Sequence, residues 1–353
     1  MSLPSLKQPF VVGSIPTPVG EVPQVSSSLR AMDYWGMFKV RWRIGRMRYK
    51  IEPGLYALGR PDDRCPVLVT ANYKMSFDRL RESLPGRNAW ILVLDTKGIN
   101  VWCAAGKGTF GTEELAARVH SSGLAQVVSH HELILPQLAG PGVAAHQVQK
   151  LSGFKVIYGP IRSKDLAAFL DAGLKATPEM RRKTFTVIER AVLAPGEFVA
   201  AMKFGVFILP IFFFLGGLGG PGDYWMNAWN HGLFAVQALL WAILVGAVLT
   251  PVLLSFLPGR AFSFKGFFLG VVAAIILLMI RVGHFSTPAG LLETLGCLFM
   301  VPAVAAYLAM NFTGCSTYTS LSGVRKEMRL ALPLEIAAGS LGVVLWAGSR
   351  FLA

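Results

Sequence analysis

Residues 89–115 read AWILVLDTKGINVWCAAGKGTFGTEEL, and they set the fold of the N-terminal half. AWILVL is a continuous apolar run of strand length, as expected for a strand buried on both faces of a parallel sheet. Four glycines (98, 106, 108 and 111) then punctuate a loop with one short helix-like segment. Thr112-Glu113-Glu114 opens a second helix, expected over 111–122. Working outward, CPVLVTANY (65–73), AQVVSH (125–130) and FKVIYG (154–159) read as further strands, and 75–84, 142–151 and 163–172 as helices. This strand–helix alternation predicts an α/β, Rossmann-like, doubly wound parallel sheet. Ligands in such sheets lie beyond the carboxyl ends of the strands, which is where residues 96–110 fall.

The rest of the chain differs in composition. Of 353 residues, 53% are hydrophobic and 15% charged, with a net charge of +14; a soluble domain carries roughly 25% charged residues. The apolar excess lies in residues 199–353, an all-α transmembrane domain of about five helices: near 200–219, 232–254, 264–280, 289–310 and 331–349. With residue 198 in the cytoplasm, Lys203, Arg260, Lys265, Arg325, Lys326 and Arg329 fall at inner ends and only Arg281 and Arg350 at outer ends, as the positive-inside rule requires. The expected placement is therefore multi-pass in the cytoplasmic membrane, with the N-terminal domain inside and the C-terminus outside. MSLPSLKQPF has no apolar segment of the signal-peptide kind. Residues 1–60 read as an extended arm followed by a basic β segment. There Phe38, Val40, Trp42 and Ile44, and after Gly45 also Met47, Tyr49 and Ile51, alternate with Arg and Lys. That basic face could meet lipid phosphates, an anionic cofactor tail or only water. Residues 61–198 form the α/β domain. The basic balance has no nucleic-acid signature beside it, so membrane lipids are the expected partner and nucleic acid is not.

The residues with chemical potential sit in Asn100-Val101-Trp102-Cys103-Ala104-Ala105-Gly106-Lys107. Cys103 falls at the start of a helical segment, where unpaired N–H groups and Lys107 one turn on favour an anionic sulfur. The small Ala and Gly residues would let a flat ligand approach closely. An ordinary buried thiol and a tight strand–helix turn are the competing readings. A phosphate loop fails, because Val101 stands where its first glycine is required and Gly108 follows the lysine. Gly106-Lys107-Gly108-Thr109-Phe110-Gly111 matches the dinucleotide pattern, but no acidic residue completes a ribose site. The other cysteines, Cys65, Cys297 and Cys315, form no CxxC pair, so neither a zinc ribbon nor a self-contained iron–sulfur cluster is expected. They read as packing residues, although Cys297 and Cys315 could pass a soft metal along the membrane. Glu293 inside a span is costly unless it reaches water or Arg281.

NVWCAAGK (100–107) is similar to the cap-helix motif of the HgcA family, the membrane-bound corrinoid proteins of microbial mercury methylation. The resemblance continues through GTFGTEEL (108–115), VVSHHELILPQLAGPGVAAHQVQK (127–150), SGFKVIYGPIR (152–162), KATPEMRRKTFTVIERAVLAP (175–195) and NFTGCSTYTSLSGVRKEM (311–328). The soluble block also resembles the corrinoid iron–sulfur protein large subunit. That relative carries a non-ligating residue at the Cys103 position and a four-cysteine cluster domain, both of which differ here. A second corrinoid module uses DxHxxG; His120 has the HxxG part, but Arg118 replaces the aspartate, so His120 reads as a surface residue.

The resemblance implies a cobalamin-dependent methyltransferase that passes a methyl group from cobalt to Hg(II). Cys103 would be the catalytic residue and the lower axial cobalt ligand. Asn100 and Lys107 would position the cap helix, and Val101, Trp102, Ala104, Ala105 and Gly106 would line the corrin face. Gly159, Pro160 and Arg162 could touch its rim. The implied partners are a ferredoxin-like iron–sulfur electron donor and a methyltetrahydrofolate-type methyl donor acting through a methyltransferase. Two readings compete: a corrinoid methyl carrier for the acetyl-CoA pathway, and a membrane transport protein for corrinoid or metal. Five spans without a visible internal repeat disfavour the transporter.

Overall fold

The computed structural model describes residues 3–281, 286–316 and 320–352. The chain divides into two compact units, Met1–Lys183 and Thr184–Ala353.

The first unit is built on one mixed sheet of seven strands: β1 (Val11–Thr17), β2 (Gly20–Val25), β3 (Gly54–Leu58), β4 (Val67–Ala71), β5 (Ala89–Leu94), β6 (Glu132–Leu135) and β7 (Lys155–Tyr158). Their spatial order is β1-β2-β3-β5-β4-β6-β7. The segment β5-β4-β6-β7 is parallel throughout, and β3 lies antiparallel against β5. After β5 the chain crosses to the far side of β4, so the strand order reverses at β4. In open α/β sheets that reversal creates a crevice at the carboxyl ends of the strands.

Both faces of the sheet are covered. On one, α3 (Val101–Gly106), α4 (Thr112–Ser121) and α5 (Ala145–Ser152) cover Val67, Val69, Trp90, Leu92, Leu133 and Leu135. On the other, α2 (Lys74–Glu82) and α6 (Leu166–Asp171) supply Phe77, Leu166 and Phe169 against Leu68, Ile91, Val93 and Ile134. All six residues of β5 are buried, as the unbroken apolar run requires.

Three sequence expectations are corrected. Residues 1–30 are not a loose arm: β1 and β2 form an antiparallel hairpin about Gly20, whose φ of 117° no other residue adopts easily. The alternation over 38–51 does not make strands. Residues Ala31–Arg41 form helix α1, followed by a 3-10 turn at Arg46–Arg48. The buried set of α1 is Asp33, Gly36, Met37 and Val40, which is helical spacing, and the period-2 run had masked it. AQVVSH is not a strand either. Adjacent Val127 and Val128 both enter the same core cluster, which a pleated strand cannot do. The strand comes later, where Leu133 and Leu135 face one cluster and Ile134 the other.

In the second unit five helices are long and apolar enough to cross a membrane: Val187–Leu215, Tyr224–Leu253, Phe262–Met279, Pro288–Gly314 and Ser322–Ser349. The chain is therefore a membrane protein. The last three pack through small residues. A Cβ on Gly270 would lie 2.6 Å from Pro302 Cα, and one on Gly342 would lie 2.7 Å from the Met300 nitrogen; such close backbone approach is how helices associate where lipid removes the hydrophobic drive. Glu293, buried in the fourth span, accepts from Arg281 Nη1 at 2.8 Å and lies 3.1 Å from His231 Nδ1. The carboxylate is thereby paired in the interior. Cys297, one turn on, is buried; the side chain of Cys315 lies outside the described residues.

Candidate functional site

The loop after β5 is organised by a residue at the end of the neighbouring strand. Asn72, almost wholly buried just beyond β4, accepts at Oδ1 from the N–H groups of Thr96 (3.1 Å) and Gly98 (2.9 Å). The Thr96 hydroxyl lies within hydrogen-bonding distance of the same oxygen (2.9 Å) and of the Ile99 carbonyl (2.7 Å). Asn72 Nδ2 donates to Asp95 Oδ1 at 3.0 Å. Asp95 is itself held by Lys97 at 2.6 Å and accepts the Lys97 N–H at 3.1 Å. Burial raises its carboxyl, but these bonds outweigh burial and hold it below the ordinary value. Lys97 and Gly98 both take positive φ, 58° and 74°, so the chain turns sharply into α3.

Helix α3 is short, and its ends are defined by the two outer residues of the motif. Asn100 is the N-cap, its Oδ1 accepting the Cys103 N–H at 2.9 Å. Lys107 is the C-cap, where a cation suits the helix dipole. The residues between divide by face. Val101, Ala104 and Ala105 turn into the core. Trp102, Cys103, Gly106 and Lys107 are exposed. No atom lies within 4 Å of a Cβ placed on Gly106 or Gly108. The outer side of the helix is an open platform bearing one thiol and one indole.

Beneath the platform the fit is tight. A Cβ on Gly142 would stand 2.2 Å from the Phe110 carbonyl oxygen and 2.9 Å from Ala105 Cα, so the 139–143 loop supports α3 through backbone contact. Neither Asn72 nor Gly142 was singled out from sequence. The PGV run at 141–143 was the available signal for the second, since a glycine beside a proline in a loop marks turn or close approach. The remaining candidate residues are dispersed. His120 is exposed, with Nε2 2.9 Å from the Leu151 carbonyl oxygen. Cys65 is half-buried and its thiol is pushed up by burial and by Asp62. Gly159 packs beside Ile134 and Phe169, on the face of the sheet opposite α3. The described surface cleft lined by Pro66, Leu84, Arg87, Asn88 and Leu170 lies at the amino ends of β4 and β5, the other edge from α3.

Among the described residues, no group of three or more His, Cys, Asp or Glu side chains could hold a metal ion. A metal held by a macrocycle needs only a single protein donor, and an exposed thiol beside the open surface at Gly106 fits that requirement.

Residues 43–170 match the family model described as the CO dehydrogenase/acetyl-CoA synthase delta subunit. The chain is similar to the acetyl-CoA decarbonylase/synthase complex subunit gamma of Methanocaldococcus jannaschii, at 29% identity over 40% of this chain and 30% of the relative. It is similar to the subunit of the same name from Methanopyrus kandleri, at 31% identity over 35% and 26%. It is also similar to the corrinoid/iron-sulfur protein large subunit of Moorella thermoacetica, at 28% over 35% and 28%. The chain thus spans under a third of the length of these relatives. The family-model match at 43–170 includes the whole of α3, Asn72 and Gly142, and leaves the five apolar helices outside it.

Proposed function

We propose that the chain is a membrane-anchored corrinoid protein of methyl transfer, with Cys103 as the lower axial ligand to cobalt and Hg(II) as the methyl acceptor, giving methylmercury. One observation carries this reading. In a chain similar to a corrinoid/iron-sulfur protein, and within the stretch 43–170 that the family model matches, the only exposed cysteine thiol among the described residues stands on an open helix face beyond the carboxyl end of a central strand.

When bound, a corrinoid would supply a cobalt-carried methyl group able to leave as a carbanion equivalent toward a soft electrophile. The protein's part is positional. Asn100 fixes the first turn of α3 and with it the Cys103 backbone. Asn72 holds the loop that enters α3, and Gly142 lies beneath the helix's final turn. Trp102, exposed next to Cys103 in sequence, would offer the ligand an apolar ring. The Cys103 thiolate would be a strong, soft donor to the cobalt, a donor that would make the metal harder to reduce. A low-potential iron–sulfur donor of the ferredoxin type is therefore the expected partner, and a methyltetrahydrofolate-type carrier the expected methyl source.

A second reading has its own support. The relatives are named for acetyl-CoA decarbonylase/synthase complexes, which favours a methyl carrier serving acetyl-CoA formation. The experiment compares wild type with Cys103→Ala. Purified full-length protein is loaded with cobalamin and its visible spectrum recorded, and cells expressing each form are assayed for methylmercury. The proposal expects a thiolate-ligated spectrum and methylmercury from wild type, with both lost in the variant. A spectrum unchanged by the substitution would overturn the ligand assignment. Thiolate ligation without methylmercury would leave the carrier reading.

A further inference from the structure

Between Tyr34 and Ile51 the chain carries six cations (Lys39, Arg41, Arg43, Arg46, Arg48 and Lys50) and no carboxylate. The same stretch exposes large apolar side chains. Trp35 (58% exposed), Phe38, Ile44 and Met47 (77%) all stand in solvent, with Met32 beside them. Trp35 stacks on Phe38 at 5.3 Å, and Phe38 leans on Trp42 at 6.1 Å, so the aromatic rings form one continuous patch.

This surface is held in place. On the inner side of α1, Asp33 accepts from Lys74 Nζ at 2.6 Å and from Arg81 Nη2 at 2.9 Å, and both cations also engage Asp78. Arg81 further donates to the carbonyls of Ser26 and Ser28. The 3-10 turn is fixed by the Lys50–Tyr73 bridge and by the Tyr49 ring against Gly36. A buried ion network thus presents a rigid aromatic and basic face outward. Soluble proteins seldom leave such a face uncovered.

We propose that α1 and the turn after it dock on an anionic lipid headgroup surface. Aromatic rings flanked by Arg and Lys are the side chains of the bilayer interface, where rings sit at headgroup depth and cations meet phosphate. The six cations of the stretch, with Glu82 meeting it only at Tyr34 among the described contacts, are complementary to anionic lipid. The chain also carries its own bilayer anchor, since a helix long and apolar enough to span a membrane begins at Val187. The consequence for the site is direct. Lys50 packs against Gly98, 3.4 Å from where a Cβ would stand, and Gly98 lies two residues before the N-cap of α3. Membrane docking therefore bears on the loop that carries Cys103, independently of which cofactor the site holds.

The test places the photo-crosslinker p-benzoylphenylalanine at Met47 in the full-length chain, reconstituted in nanodiscs of phosphatidylcholine alone or mixed with phosphatidylglycerol. Lipid adducts at 47 are expected, several-fold more abundant with phosphatidylglycerol and reduced by salt. A crosslinker at Leu151, exposed on α5, serves as the control. The charge-reversed pair Arg46→Glu and Arg48→Glu should abolish the adducts, and Arg46→Lys with Arg48→Lys should restore them, which separates charge from misfolding. Adducts at 47 no stronger than at 151, adducts indifferent to lipid charge, or adducts to protein in place of lipid would each overturn the proposal.

Discussion

Replacing Gly142 with alanine tests whether α3 is held from beneath as the geometry implies. The new Cβ would stand 2.2 Å from the Phe110 carbonyl oxygen and 2.9 Å from both Cα and the carbonyl oxygen of Ala105. All three are backbone atoms, so no side-chain rotation relieves the clash. The loop cannot simply retreat. Its Val143 carbonyl accepts the Tyr158 hydroxyl at 2.6 Å, and the Ala144 N–H donates to Thr112 Oγ1 at 2.9 Å. Since contacts under 3.0 Å are essentially never observed, the two segments must part by about 0.8 Å, in an interior dense enough to transmit the strain. Overpacking costs about 1–3 kcal/mol, and backbone on every side argues for the upper figure. At about 1.4 kcal/mol per tenfold, ~3 kcal/mol raises local opening roughly 100-fold. Hydrogen exchange of the full-length chain should show that acceleration in peptides covering 101–110, while β4 stays protected. Because metal–ligand distances hold within about 0.2 Å, the cobalamin-loaded variant should also lose the Cys103-dependent part of the visible spectrum. Exchange and spectrum both indistinguishable from wild type would refute the claim that this contact sets the position of the thiol.

Gly106→Ala is expected to do the opposite to the bare helix: with nothing within 4 Å, it should slow exchange of α3 by about 0.5–1 kcal/mol of added helix preference. It should still weaken cobalamin binding, and an unchanged affinity would remove the ring from that face. Asn72→Ala leaves the Gly98 N–H without its partner and unties the Thr96 side chain from β4, at about 1–3 kcal/mol per buried unsatisfied group; faster exchange confined to 95–103 is the expected readout, and global unfolding without local loosening would contradict it. Burial raises the Asp33 carboxyl, but the Lys74 bond, the Arg30 N–H and the Lys74 and Arg81 charges more than offset this and hold it below 3.8. A depressed carboxyl stabilises above its unfolded value and loses that contribution as pH falls through its folded value. Pulse labelling of residues 31–41 after incubation at stepwise lower pH should therefore show α1 loosening below 3.8 and not on mild acidification; loosening on mild acidification would contradict the ion-network account.

The elements legible in the sequence are those whose pattern is local. β5 announces itself because a strand covered on both faces must be apolar at every position. The spans announce themselves because lipid imposes length. α1 was hidden: its helical spacing of Asp33, Gly36, Met37 and Val40 includes a buried aspartate, which looks polar until Lys74 and Arg81, some 40 residues on, are brought against it. The exposed Trp and Phe then imitate strand alternation. β6 was misplaced because VVSHHELIL offers two β-branched or apolar runs, and only packing against both core clusters chooses between them. At the site, Asn100, Cys103 and Lys107 were legible as a cap, a thiol and a terminal cation. Asn72 and Gly142 were not, since each acts on a segment 24 or more residues away through backbone groups that leave no mark on composition.

These hidden contacts divide the labour of the site in one direction. Val101, Ala104 and Ala105 are taken by the core, Asn72 holds the entry to α3, and Gly142 lies beneath its final turn. What is left toward solvent is the outward side, where Cys103, Trp102 and Gly106 are exposed and a Cβ on Gly106 would meet nothing within 4 Å. A helix of six residues has too little of its own hydrogen bonding to be stable alone, so its rigidity is borrowed from the sheet edge. That asymmetry is what the proposed role of Cys103 as a metal donor asks for: a thiol held by the chain behind it and left open in front. It is a poor arrangement for an ordinary structural cysteine, which would have been turned inward with Ala104 and Ala105.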